Sequence, residues 1–189
     1  MNLPATITVL GVGSWGTALA LLLARNGHVV RLWGHDPQEV ELLRQERENR
    51  RYLPDLRFPT ALTVGIDLPA AVAGVDWALV ATPSHAYRMT LERLCPLLPA
   101  TASLAWATKG LEPGSGRFLH EVTAEVFGAS WPVAVISGPS FAGEVARGLP
   151  TAVTVAARDA DHARRAALLL HGSNMRAYTS TDIVGVELG

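Results

Sequence analysis

The sequence lacks paired cysteines, long apolar runs and an excess of charge of either sign. The single cysteine, Cys95, among 189 residues excludes an internal disulfide and predicts a reducing, cytoplasmic location. No apolar run approaches the ~20 residues that span a bilayer, and the N-terminus has neither the basic start nor the small-residue cleavage site of a signal peptide. A formal net charge of -1 offers no basic stripe for nucleic acid, and no residue cluster predicts a metal site.

The chain instead shows a regular alternation of strand-like and helix-like segments. Its length predicts one domain, and 49% of its residues are apolar, enough for a substantial core. The predicted strands span residues 7–10, 29–33, 63–66, 77–81, 103–107, 133–136, 152–156 and 175–178. The predicted helices span residues 14–26, 38–50, 68–73, 85–98, 118–127, 140–147 and 160–170, and the proline-containing segment 52–59 is predicted to be a loop.

A glycine-rich turn follows the first predicted strand and precedes the first helix. It has the spacing Gly11-x-Gly13-x-x-Gly16, in which the glycines allow a tight turn, the approach of a pyrophosphate and close packing of helix on strand. Ser14 and Trp15 lie at the helix start, where backbone N–H groups meet phosphates. Ser14 is alternatively a plain helix N-cap, and Trp15 is either a lid over the cofactor or a packed core aromatic. With the alternation, the turn predicts an α/β fold, a Rossmann-like doubly wound, mostly parallel sheet with helices on both faces.

The end of the second predicted strand bears on the choice of cofactor. An enzyme that uses NAD usually has a carboxylate there to bind the ribose hydroxyls, whereas this chain has Gly34 and then His35. Arg31 and His35 supply positive charge, so the pattern favours the 2′-phosphate of NADP, with NAD as the alternative. Asp36 could still meet the ribose, or could simply cap the next helix at Pro37.

Further polar residues follow the predicted strands in the middle of the chain. Lys109 comes directly off a buried strand, where a lysine is costly unless it meets an anion or acts in catalysis. Gly138 and Ser140 follow another strand at a predicted helix start, a second candidate anion site. His85 is a weaker candidate catalytic acid. Together these positions predict a small anionic substrate beside the nicotinamide.

Four sequence blocks, in order, resemble the bacterial NAD(P)-dependent glycerol-3-phosphate dehydrogenases. They are GVGSWGTALA at residues 11–20, LWGHD at 32–36, WATKGLE at 106–112 and ISGPSFA at 136–142, and GLPTA at 148–152 also fits. The resemblance implies reversible reduction of dihydroxyacetone phosphate to sn-glycerol 3-phosphate, an oxidoreductase step that feeds phospholipid synthesis. Alternatives are a stand-alone nucleotide-binding, regulatory module and a related hydroxy-acid reductase.

The resemblance also implies residue roles and a division of the chain. The cofactor would contact Gly11, Gly13, Ser14, Trp15, Gly16, His35, Lys109 and Ala142, and the substrate would contact Lys109, Gly138 and Ser140. Residues 1–180 would form the dinucleotide-binding domain, and residues 181–189 would begin a helical substrate domain.

For catalysis, the resemblance implies a role for Lys109 and for a second lysine. The general acid/base lysine of the family lies beyond the position of Gly189, so residues 1–189 alone are expected to have little activity. An exposed apolar face is expected where the helical domain would dock, and it would favour association into a homodimer.

Overall fold

A computed structural model describes residues 4–189 of the chain. The strands, in chain order, are β1 (Thr6–Leu10), β2 (Val29–Trp33), β3 (Glu48–Asn49), β4 (Leu53–Arg57), β5 (Leu62–Gly65), β6 (Trp77–Val80), β7 (Ser103–Trp106), β8 (Val133–Ser137), β9 (Thr151–Ala156) and β10 (Met175–Ser180). The helices are α1 (Ser14–Arg25), α2 (Pro37–Glu46), α3 (Leu68–Val72), α4 (Ser84–Leu94), α5 (Leu119–Phe127), α6 (Ala142–Arg147), α7 (Ala160–Leu170) and α8 (Ile183–Leu188).

Eight of these strands form one sheet in the order β10-β9-β8-β7-β6-β1-β2-β5. Every neighbouring pair is parallel except β8 and β9, which are antiparallel. The chain runs outward from β1 to β2 and β5, and then returns to place β6 on the other side of β1. The predicted doubly wound, mostly parallel sheet is therefore confirmed, and its switch point lies between β1 and β6, where such sheets bind ligands.

The sheet is covered by helices on both faces. One apolar cluster joins the sheet to α1, α2, α6 and α7, and a second joins it to α3, α4, α5 and α8. Helix α1 is buried almost throughout because its alanine and leucine run packs between the sheet and α6. Its last residue is Arg25 and its C-cap residue is Asn26, and Gly27 follows with a positive φ of 91°, a conformation that favours glycine after a helix.

The region between α2 and β5 differs from the prediction. The helix predicted over residues 38–50 ends at Glu46, because Arg47 adopts the left-handed conformation and its guanidinium donates to the carbonyls of Phe58 and Pro59. The segment 52–59, predicted to be a loop, contains β4, which pairs antiparallel with β3. The helical spacing of apolar residues did not reveal this small sheet, because its pairing joins short and mostly polar segments.

Within residues 4–189, no helix combines the length and the apolar character that a membrane crossing requires. The same residues contain no group of three His, Cys, Asp or Glu side chains arranged to hold a metal ion.

Candidate functional site

The glycine-rich turn lies at the carboxyl edge of the sheet, between the ends of β2 and β6. The Gly11 N–H donates to the Trp33 carbonyl at 2.9 Å. Gly11 has a φ of 120°, and a Cβ there would stand 2.7 Å from the Ala81 carbonyl oxygen. Both the backbone conformation and the neighbouring strand therefore require glycine at this position.

The other two glycines of the turn meet different surroundings. A Cβ on Gly16 would overlap the Gly11 carbonyl oxygen, so this glycine is needed for helix α1 to pack against the turn. A Cβ on Gly13 would meet nothing within 4 Å, and its φ of -66° is open to any residue. Nothing in the fold therefore requires glycine at position 13. The open space beside it agrees with the expectation that this glycine leaves room for a ligand.

The first turn of α1 is arranged to receive an anion. Gly13 is the N-cap residue and offers no side chain to the N–H groups that open the helix, and the first turn contains no acidic residue. Helix N-termini of this kind bind phosphate through N–H groups and the helix dipole. The residues present therefore fit a dinucleotide pyrophosphate. Ser14 is the first helical residue, so the alternative that made it the N-cap is wrong.

A buried asparagine lies under the turn, and no motif in the sequence pointed to it. Asn49 of β3 is 2% exposed, and its amide donates to the Val12 carbonyl and to the Thr17 hydroxyl, each at 2.8 Å. The Thr17 hydroxyl in turn donates to the Val12 carbonyl at 3.1 Å. These hydrogen bonds link β3 to the glycine-rich turn and to the first turn of α1. They also give each of these buried polar groups a partner.

Trp15 connects the glycine-rich turn to the end of β7. Its indole N–H donates to the Ala107 carbonyl at 3.1 Å, and its ring packs against the apolar cluster around α1. Of the two alternatives for Trp15, the structure shows the packed aromatic. A cofactor contact at this residue stays a prediction.

Lys109 and Gly138, predicted to lie at one substrate site, are in contact. Lys109 is exposed, and its ammonium donates to the Gly138 carbonyl at 3.2 Å. The neighbouring Thr108 hydroxyl donates to the Thr82 carbonyl at 2.8 Å, which joins the ends of β6 and β7. The residues that follow β1, β6, β7 and β8 are thus linked along the carboxyl edge of the sheet. At this edge the exposed Lys109 ammonium is accessible to an anion.

The segment after β8 is a turn rather than the predicted helix start. Helix α6 begins at Ala142 with Phe141 as its N-cap residue, so the prediction that this helix starts at Ser140 is wrong. The Ser140 N–H donates to the Gly138 carbonyl at 2.8 Å, which holds Ser140 outside the helix. Gly138 has a φ of 149°, and a Cβ there would stand 3.1 Å from the Val153 Cα of the antiparallel strand β9.

At the end of β2 only part of the predicted positive charge is available. His35 is exposed beside the strand end. Arg31 lies in mid-strand, and its guanidinium donates to the carbonyls of Ala70, Ala71 and Ala73 at the end of α3. The Arg31 guanidinium therefore already has hydrogen-bond partners at the end of α3, and a contact of Arg31 with a 2′-phosphate stays a prediction.

Asp36 is the N-cap residue of α2, which confirms the capping alternative. Its carboxylate accepts from the Glu39 and Gln38 N–H groups at 3.1 and 2.8 Å. These two hydrogen bonds, together with the nearby His35, lower the pKa of Asp36 below its ordinary value. Beside it, a cavity of about 440 Å³ opens between α2 and β3. Its charged lining residues are Asp36, Glu39, Glu46, Glu48, Arg50 and Arg51.

His85 stands apart from the contacts described above. It is exposed in the first turn of α4, and among residues 4–189 no hydrogen bond or ion pair joins it to Lys109 or Gly138.

Gly189, beyond which the resemblance places the general acid/base lysine, also lies apart from the site. It is exposed, it is the C-cap residue of α8, and its N–H donates to the Gly185 carbonyl at 3.3 Å. Within the described part of the chain, no hydrogen bond joins it to Lys109 or to the glycine-rich turn. The general acid/base lysine that the resemblance implies stays a prediction.

Comparison with known proteins identifies the family. Residues 6–163 match the family described as the N-terminus of NAD-dependent glycerol-3-phosphate dehydrogenase. The chain belongs to this family. It is 57% identical over 183 residues to the glycerol-3-phosphate dehydrogenase [NAD(P)+] of Stenotrophomonas maltophilia, an alignment that covers 97% of this chain and 54% of that protein. The corresponding protein of Xanthomonas campestris is 55% identical with the same coverage. The chain thus spans about half the length of the curated relatives that it matches.

Solved structures agree with the family assignment. Glycerol-3-phosphate dehydrogenase from Coxiella burnetii superposes with a TM-score of 0.93 and 46% identity, covering 98% of this chain and 56% of that protein. A ketopantoate reductase from Ralstonia eutropha superposes with a TM-score of 0.69 at 19% identity, covering 94% of this chain and 57% of that chain. At that identity only the fold is shared, so the fold alone does not separate this family from hydroxy-acid reductases.

Proposed function

We propose that this chain is the dinucleotide-binding half of an enzyme that reversibly reduces dihydroxyacetone phosphate to sn-glycerol 3-phosphate with NAD(P)H. The observation that carries the proposal is the contact of Lys109 with Gly138 on the same sheet edge as an uncapped glycine-rich turn. This arrangement would place an anionic substrate beside the nicotinamide. Family membership and the close relatives named for this reaction support the choice of substrate.

The chain's own residues would bind and orient both reactants. The N–H groups at the start of α1 would hold the pyrophosphate, and Gly13 would leave it room. His35 would lie near the adenosine end, and Trp15 and Ala142 near the cofactor. Bound NAD(P)H supplies the hydride.

At the reacting end, the Lys109 ammonium would stabilise negative charge that develops on the carbonyl oxygen or the charge of the substrate phosphate. Gly138 and Ser140 would line the substrate site. By resemblance to the family, the lysine that delivers the proton lies beyond Gly189, in a helical domain that also closes the site. A reducing cytoplasmic location and a homodimer belong to the same proposal, as does a domain boundary near residue 180.

Two assays test the proposal. Titration with NADPH, followed by nicotinamide fluorescence, should show binding to residues 1–189. The chain extended through a helical domain should oxidise NADPH in the presence of dihydroxyacetone phosphate, whereas residues 1–189 alone should have little activity. A missing proton donor typically costs ~10²–10⁴-fold in rate.

Lys109 variants of the extended enzyme make the test specific. Lys109→Ala should lower kcat/KM by about 10²-fold or more, because a preorganised positive group is lost. Lys109→Arg should not restore it fully, since a planar fork does not replace a point charge. Near-normal turnover by residues 1–189 alone would place the proton donor within this chain, and His85 would then be the next residue to test. Absence of dinucleotide binding would refute the proposal.

A further inference from the structure

The loop that carries Lys109 is long and needs external contacts to hold it in place. It runs from residue 107 to residue 118, between β7 and α5. Its three glycines, Gly110, Gly114 and Gly116, all have positive φ angles, of 90°, 87° and 70°. Glycines lose more backbone freedom on ordering than other residues. Backbone hydrogen bonds within the loop join Glu112 to Arg117 and Gly116 to Glu112, so contacts with the rest of the protein decide where the loop, and with it Lys109, lies on the sheet edge.

Upstream of Lys109, the loop is tied to the sheet edge. The Thr108 hydroxyl donates to the Thr82 carbonyl at 2.8 Å, and the Trp15 indole donates to the Ala107 carbonyl at 3.1 Å. Both contacts hold residues that directly precede Lys109. They leave the segment after Lys109, which begins with Gly110, to be fixed by something else.

Downstream of Lys109, the loop is held by an ion pair with helix α4. The Glu112 carboxylate accepts from the Arg88 Nε at 2.6 Å and from its Nη2 at 3.1 Å, and from the Ser115 hydroxyl at 2.5 Å. The Glu112 side chain is only 14% exposed. Two-point pairing of this kind fixes direction as well as distance. Hydrogen bonds from Arg88 and Ser115 lower the pKa of Glu112 to about 2, so the pair is fully charged near neutral pH.

Arg88 also anchors the far side of the loop. Its Nη2 donates to the Glu125 carboxylate of α5 at 2.8 Å, and Arg117 at the end of the loop contacts the same carboxylate. One guanidinium on α4 thereby holds both the middle of the loop and the helix that follows it.

We propose that Arg88 is a positioning residue for the Lys109 ammonium, acting through Glu112. Glu112 lies three residues after Lys109. The short segment that contains Lys109 is therefore held at both ends, by the contacts of Ala107 and Thr108 on one side and by the Arg88–Glu112 ion pair on the other. Lys109 itself is exposed and contacts the rest of the chain through the Gly138 carbonyl. This inference rests on the proposed function, in which Lys109 acts at the reacting edge.

The chain itself offers a direct readout, because Lys109 is its only lysine. Reductive methylation with ¹³C-formaldehyde should give one dimethyl-lysine NMR signal besides that of the N-terminal amine, assigned by its loss in Lys109→Arg. Arg88→Ala should move the chemical shift and line width of this signal toward those of free dimethyl-lysine. Glu112→Gln, which retains the side-chain shape, should do the same to a smaller extent. The matched control is Arg164→Ala, which removes an exposed ion pair with Asp161 on α7 and should leave the signal unchanged.

Kinetics of the extended enzyme provide the second readout. Arg88→Ala should lower kcat by about 10- to 100-fold, since small displacements of a catalytic group cost this much. The KM for the dinucleotide should change by less than about threefold, because the phosphate-binding turn is untouched. Arg88→Lys should recover only part of kcat, because an ammonium does not form the two-point pair.

The outcomes separate this inference from the proposed function. If Lys109→Ala leaves the activity of the extended enzyme unchanged, the assigned role of Lys109 fails. If Lys109→Ala abolishes activity while Arg88→Ala and Glu112→Gln leave both the NMR signal and kcat at wild-type values, the positioning role alone is overturned. If Arg88→Ala fails to fold, Glu112→Gln and Arg88→Lys decide by the same two readouts.

Discussion

Gly13 and Gly16 belong to one turn but are glycines for different physical reasons. We expect Gly16→Ala to lower the free energy of unfolding by about 1–3 kcal/mol, the usual cost of forcing extra atoms into a packed site, because its Cβ would overlap the Gly11 carbonyl oxygen. Gly13→Ala should change that free energy by less than about 0.5 kcal/mol. It should nevertheless weaken NADPH binding at least about tenfold, equivalent to ~1.4 kcal/mol, because the new methyl group points to where the pyrophosphate would approach.

Urea denaturation and NADPH titration of the two variants check this contrast. Similar losses of stability in both would mean that Gly13 is needed by the fold, and unchanged binding by Gly13→Ala would remove the pyrophosphate from this position.

The predicted preference for NADPH now rests mainly on His35, because the Arg31 guanidinium is hydrogen-bonded to the end of α3. We predict that the chain binds NADPH more tightly than NADH, and that His35→Ala reduces the difference by about 1 kcal/mol or less, as expected for one exposed charge interaction. Parallel titrations with both nucleotides measure it. Tighter binding of NADH to the wild-type chain would indicate that the four carboxylates lining the neighbouring cavity outweigh His35.

At the scale of elements, the short strand β3 supports the phosphate-binding turn through Asn49. We expect Asn49→Ala to lower the free energy of unfolding by about 1–3 kcal/mol, because the variant loses two buried hydrogen bonds. NADPH binding should weaken as well, since Val12 lies within the glycine-rich turn and Thr17 directly follows it. Urea denaturation and titration measure both effects.

A second asparagine provides the control for this prediction. Asn174 is exposed and donates to the Gly148 carbonyl at 2.7 Å, so Asn174→Ala should cost less than Asn49→Ala and leave NADPH binding unchanged. Equal effects of the two substitutions would mean that burial under the turn has no special importance.

For the molecule as a whole, two buried histidines predict loss of stability in mild acid. His28 accepts a hydrogen bond at Nδ1 from the Ala5 N–H at 3.1 Å, and His162 accepts at Nδ1 from Arg165 at 3.1 Å. Burial lowers the pKa of both residues below 6.5. Below pH 6.5 the unfolded chain therefore binds more protons than the folded one, and the free energy of unfolding should fall as the pH falls.

Urea midpoints at pH 7.5 and 5.5 test this prediction. His28→Gln should reduce the difference between the two midpoints, whereas His85→Gln, at an exposed position, should leave it unchanged. A wild-type midpoint that stays constant between these pH values would contradict the prediction.

A second acid window belongs to Glu112. Its pKa falls from 4.5 to about 2 on folding, so its contribution to stability is present above pH 4.5 and is lost as the pH falls from 4.5 toward 2. Glu112→Gln should therefore flatten the dependence of stability on pH in that range, measured by the urea midpoint. An unchanged slope in the variant would show that other carboxylates control this window.

Periodicity along the chain was enough to predict a doubly wound, mostly parallel sheet and the edge at which a ligand would bind. Strand and helix periodicities are local properties, and the carboxyl ends of parallel strands meet at one edge. For this reason the glycine-rich turn, Lys109 and Gly138 could be placed together before any contact was known. The start of α6 could not be placed correctly, because the turn at Ser140 depends on the approach of β9 to Gly138.

The partner of each polar side chain followed from the packing of the folded domain and not from local pattern. Asn49 meets Thr17 across 32 positions of sequence, Arg31 meets the end of α3 across about 40, and Arg88 meets Glu112 across 24. Such pairs follow no helical or strand period, since they form where packing of apolar faces brings distant segments together and buried polar groups must then find partners. Local sequence pattern therefore located the ligand-binding edge of the sheet. Packing decided which charged side chains at that edge already have partners within the protein.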